Sequence, residues 1–260
     1  MLTAALYGLL ASSGLILGML IGLVTAPPRR LVASVVAFGS GVLVSTLTYD
    51  LMEEAFESGS ETYVVGGFLT GTVIYVVVNA LLDRMAAKSP KREGREPQDV
   101  VPGAAAKPET QEEEVVVASA LLVGAVLDGI PENAALGISL YAEGRGLGLV
   151  LLAAIFLGNL PESMSSAVAM RREGRSRRYI AGVWTGAAVV CVLASVAGYG
   201  LLGGMSPQVI SGVLALAAGG ILAMLANTMM PQAFREGGSL VALVTAVGFI
   251  CALLLSRLTP

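Results

Sequence analysis

The sequence contains no histidine. That absence removes imidazole from any metal centre and excludes a histidine-based pH switch near neutrality. Cysteine is nearly as scarce: Cys191 and Cys251 stand alone, each inside an apolar run. A disulfide framework and a CxxC metal motif are both excluded, and the two thiols are expected to pack as small buried hydrophobes. Charge is thin, at 13% of residues with a net of −3. No glycine cluster sits in a strand–loop–helix setting, so none is a phosphate loop. Asp128 is the only aspartate in the middle of an apolar run, so the facing pair that an intramembrane aspartyl protease requires is missing. No catalytic residue, no resident cofactor and no nucleic-acid partner are expected.

Apolar sequence is what the chain has in quantity. Of 260 residues 55% are hydrophobic, and the mean hydropathy is +0.78, far from the mix of soluble domains. Several runs exceed the roughly 18 apolar residues needed to span hydrocarbon. The fold class expected is therefore an all-α integral membrane protein seated in a lipid bilayer. Eight transmembrane helices are drawn over 3–26, 31–52, 63–86, 115–142, 146–170, 178–203, 208–232 and 238–257. Met1 to Ala26 has no basic n-region and is too long for a signal sequence, so it is read as the first span. Pro27-Pro28 closes it. The fourth segment is over-long, which implies tilt or an interfacial start at Glu112-Glu113-Glu114.

Of the 16 Lys and Arg residues, all but Arg145 and Arg257 fall on one side of this topology. The positive-inside rule then puts both termini outside a cell (inner) membrane. Residues 87–113 are rich in Pro, Gly, Ala and mixed charge, with little to bury, and read as a disordered cytoplasmic loop. That loop separates helices 1–3 (1–86) from helices 4–8 (114–260) within one membrane domain. A 3+2+3 arrangement follows, with two kinked central helices, 4 and 5, flanked by three on each side. A homodimer is compatible with this plan. Gly39-Ser40-Gly41, Gly66-Gly67…Gly71 and Ala217-Ala218-Gly219-Gly220 are close-packing signals.

The central pair carries the chemistry. Asp128-Gly129-Ile130-Pro131-Glu132-Asn133 and Gly158-Asn159-Leu160-Pro161-Glu162-Ser163 repeat one another. Each sets a proline and a carboxylate where both are rare. A charge at bilayer depth costs several kcal/mol, and a proline releases the carbonyl four residues back, here Leu127 and Leu157. Asp128 and Glu132, at i and i+4, share a helix face, as do Asn159 and Glu162 at i and i+3. The two spans are joined by a short turn near Ala142 to Gly146, so the motifs can face each other. Three carboxylates there demand either a cation or protons. All-oxygen ligands favour Mg²⁺, Mn²⁺ or Ca²⁺, although Zn²⁺ and Fe²⁺ also accept carboxylates.

The structural alternative is that Ser163, Ser165, Ser166, Asn133 or Thr185 ties off the carboxylates and the motif merely holds the bundle. Among other polar positions, Asp50 reads as interfacial, with lining the entrance as the lesser alternative. Glu53, Glu54, Glu57 and Glu61 read as an acidic outer loop, either plainly solvated or concentrating cations at a mouth. Asn79 and Asn227 suit helix–helix hydrogen bonds, and Met229-Met230-Pro231 marks a kink.

With these residues in view, the chain resembles the ZIP (Zrt/Irt-like) metal transporters, as a divergent prokaryotic member lacking the usual histidine ligands. The resemblance rests on the two motifs, on Phe38-Gly-Ser-Gly-Val-Leu and on Ala218-Gly-Gly-Ile-Leu…Met230-Pro-Gln-Ala. It covers essentially all of the chain outside 87–113. It implies eight spans and import of a divalent metal, zinc or a related ion, as transported substrate. Where the family has histidine this chain has Asp128; Gly129 and Gly158 replace polar residues, Val189 replaces a glutamate, and Asn227-Thr228 replaces an acidic or histidine pair. What remains implies a single metal site of Asp128, Glu132 and Glu162, with Asn159 as fourth ligand. The functional expectation is a secondary transporter of a divalent cation. The alternatives are a diverged transporter with a non-metal or proton-linked substrate, and a non-transporting sensor or scaffold.

Overall fold

The computed structural model describes residues 1–25, 27–87, 129–141, 145–172, 174–202 and 204–258. No strand occurs among them. The helices are α1 (Leu2–Val24), α2 (Arg29–Ser58), α3 (Glu61–Ala87), α4 (129–141), α5 (Arg145–Arg172), α6 (Arg177–Ala197), α7 (Pro207–Gly237) and α8 (Leu240–Leu258). All except the short described stretch of α4 are long and apolar enough to cross a membrane. That is the architecture of a multi-pass membrane protein. The fourth expected span is described only from 129 onward. The loop expected at 87–113 lies, apart from Ala87, outside the described residues.

Local chemistry sets the helix ends. The Thr25 hydroxyl donates back to Ile21 O at 2.7 Å, Thr25 itself is extended, and Pro28, also extended, precedes the first turn of α2. Ser176 caps α6 by accepting from Tyr179 N at 3.2 Å, and Pro207 occupies the first turn of α7, where its missing N–H costs nothing. Gly174 and Gly238 make the turns into α6 and α8 at φ of 84° and 67°, values that favour glycine. Among the described residues, π turns interrupt the α geometry at Leu47–Leu51 in α2, at Gly198–Leu202 continuing α6, and at Leu225–Met229 in α7. The last falls immediately before Met230-Pro231, where the sequence suggests a kink.

Small residues decide which helices pair. On α1, Gly14 lies against Phe156 O, Gly18 against Leu160 O and Gly22 against Met164 O of α5. Numbers rise together, so α1 and α5 run parallel. On its other side α1 meets α6 antiparallel, with Gly8 against Val192 and Ser195 and the Ser195 hydroxyl donating to Ala4 O at 3.0 Å. Gly67 and Gly71 of α3 seat against Gly212 and Leu216 of α7, and Gly219 returns the contact on Phe68 O. Gly41 of α2 meets Thr245 O of α8, and α4 packs along α6 through Gly137 and Gly198. These are backbone-to-backbone approaches that a Cβ would block, the way helices associate where solvent supplies no hydrophobic drive.

A Cβ at Gly18 would collide with Leu160 O and Ser163 Oγ, whereas one at Gly66 meets nothing within 4 Å. Gly18→Ala is therefore expected to cost about 1–3 kcal/mol of stability by overpacking and Gly66→Ala to be neutral. Thermal unfolding of the detergent-solubilised variants checks both.

Candidate functional site

Each proline–carboxylate motif arrives on a helix whose neighbours are placed by those glycine contacts. In α5, Pro161 sits inside a continuous helix and is buried. Its ring removes the hydrogen bond that Leu157 O would accept. That carbonyl faces Gly39 of α2, where a Cβ would stand 3.3 Å from Leu157 O, 3.5 Å from Gly158 Cα and 3.6 Å from Pro161 Cγ. The Gly39-Ser40-Gly41 signal thus packs α2 directly on the proline step.

Asn159 is 3% exposed and donates from Nδ2 to Ala11 O of α1 at 3.3 Å. With nitrogen held on α1, the amide oxygen is the ligand-type atom that Asn159 has to offer. Glu162, three residues on, is half-buried. On α4, Glu132 is 4% exposed and Asn133 fully buried. Asp128 lies outside the described residues, and with it any complete picture of the four expected ligands. Among the described residues, no group of three or more acidic or cysteine side chains converges.

Several of the donors proposed to tie off the carboxylates are engaged on the backbone. Ser163 Oγ donates to Asn159 O at 2.8 Å, Ser165 Oγ to Glu162 O at 3.0 Å, and Asn133 Nδ2 to Gly129 O at 2.9 Å. Thr185 is exposed. These bonds hold the helices rather than the carboxylates.

Two acids that sequence reasoning set aside prove to be inside. The second span continues past its expected end at 52 to Ser58, so Glu54 belongs to a helix rather than to a loop, and Asp50 lies in the π turn of that same helix. Asp50 is 5% exposed and its Oδ1 accepts from Ser256 of α8 at 2.9 Å. Glu54 is 4% exposed and its Oε2 accepts from Ser139 of α4 at 3.2 Å. Glu53, Glu57 and Glu61 are exposed. The i and i+4 spacing of Asp50 and Glu54 is the one signal that pointed to a shared helix face. Asn227 is exposed, while its neighbour Thr228 meets Tyr75 Oη at 3.2 Å. Cys191 is buried as expected; Cys251 is exposed on α8.

No protein-family model matches the chain, and a search of curated proteins finds no match.

Ser139→Ala and Ser256→Ala each take a donor from a buried carboxylate. Each is expected to lower stability by about 1–3 kcal/mol, more than the same change at the half-buried Ser34, whose hydroxyl bonds only the Arg30 carbonyl, in chemical-denaturant titrations.

Proposed function

We propose that this chain is a secondary transporter, similar to ZIP proteins, that carries a divalent cation through a carboxylate site between α4 and α5. The observation that carries the reading is Glu132. It is a carboxylate 4% exposed, one residue after a proline, in a chain whose other helices are long and apolar enough to span a bilayer. A carboxylate held there calls for a counter-charge, a proton or hydrogen-bond donors, and a transported cation is one way to supply the first.

In this reading eight helices cross the inner membrane in a 3+2+3 arrangement with both termini outside. Asp128, Glu132 and Glu162 supply charge, and the Asn159 oxygen completes the oxygen set. The acids Asp50 and Glu54 line the outer half of α2 on the way to the site. Transport then consists of one helix group moving against the other around a bound ion. The import direction and zinc as cargo come from the family resemblance.

A ligand that binds only the native state must stabilise it, by about 2.7 kcal/mol at one hundred times its Kd. Purified protein is expected to gain thermal stability with Zn²⁺ or Mn²⁺, and the double variant Glu132→Gln with Glu162→Gln to lose both that gain and ion uptake into vesicles. Stabilisation by acidification alone, without response to any divalent ion, points instead to a proton-linked substrate. Wild-type uptake in the double variant would falsify the carboxylate site.

A further inference from the structure

Two helices that start at the same end of the bundle each open on a pair of arginines. Arg29 and Arg30 begin α2, Arg177 and Arg178 begin α6, all four are exposed, and neither first turn holds an acid. The two starts are neighbours because the helices before them end together. Gly22, near the end of α1, lies against Met164 O and Ala167 of α5, and Arg171 Nη1 donates to Leu23 O at 2.8 Å. Arg29 follows Leu23 by six positions, and Arg177 follows Arg171 by six. Within the α5–α6 turn, Arg175 is 7% exposed and stacks over the Tyr179 ring at 5.4 Å from its centroid, which pins that turn against α6.

A helix N-terminus is the positive end of the backbone dipole, where anions are favoured and cations are not. Four guanidinium groups at two such ends therefore leave a surplus of positive charge. The sequence nearby offers little to offset it: no acid between 24 and 38, and Glu173 alone between 163 and 199. Guanidinium forks match phosphate oxygens two by two. For helices long and apolar enough to cross a bilayer, the phosphates that meet such an end belong to lipid headgroups, and basic corners between spans favour anionic ones. We propose that Arg29, Arg30, Arg177 and Arg178 together hold the headgroup of an anionic phospholipid between the starts of α2 and α6. This uses the membrane architecture alone and stands apart from the transport reading.

The test titrates phosphatidylglycerol and phosphatidylcholine into the purified full chain in neutral detergent and counts bound lipids by native mass spectrometry. Phosphatidylglycerol is expected to bind about fivefold or more tighter at low salt, the preference shrinking as salt rises. Arg29→Gln with Arg30→Gln, and Arg177→Gln with Arg178→Gln, are each expected to remove most of that preference. Phosphatidylcholine binding and thermal unfolding stay unchanged in both and report an intact fold. Arg84→Gln with Arg235→Gln, which alters two arginines elsewhere, leaves the preference in place. Equal binding of the two lipids by the wild type, or a preference that survives the loss of either arginine pair, overturns the proposal. So does an equal loss in the Arg84 and Arg235 control, which assigns the preference to diffuse charge. If millimolar inorganic phosphate displaces phosphatidylglycerol beyond the effect of chloride at equal ionic strength, the corner takes a free anion and the lipid assignment falls.

Discussion

A carboxylate held away from water has to be answered, by a cation, a proton or several donors, and this bundle holds at least three. Asp50, Glu54 and Glu132 are each no more than 5% exposed. The desolvation of one such group is worth more than any single helix contact. The fold around them is arranged accordingly: Ser256 reaches Asp50 from α8 and Ser139 reaches Glu54 from α4. Those bonds draw α4 and α8 onto α2, which also carries Gly39, the glycine that seats on the Pro161 step of α5.

The close helix contacts make that arrangement accurate. Where α1 runs along α5, its glycines bring backbone against backbone at four-residue intervals. A polar amide can then cross from one helix to a carbonyl of the next, as Asn159 does to Ala11. With bulkier residues on α1 the gap would widen and the amide would lose its acceptor. Packing by small side chains and the hydrogen bonds of buried polar groups are thus one requirement met twice.

The helices were legible because a run of apolar residues too long for a soluble core has few other uses. The proline–glutamate steps were legible because both residue types are costly in such runs. Asp50 and Glu54 were not. Glu53, Glu54, Glu57 and Glu61 form an acidic string, and composition alone reads such a string as a solvated loop. What buries Glu54 is Ser139, 85 positions away in the chain, and what carries the helix through is a π turn that leaves no periodic mark in the sequence. The partner of Asn159 likewise lies on another helix, 148 positions away.

The π turn in α2 has a consequence for how this chain tolerates change in length. Such a turn holds one residue more than an α turn closes on, so side chains beyond it are rotated by about 100° from where an unbroken helix would aim them. Deleting a single residue between Leu47 and Leu51 would restore regular winding and swing the C-terminal end of the helix, Glu54 included, around its axis. A gap of one position there alters the protein more than most substitutions.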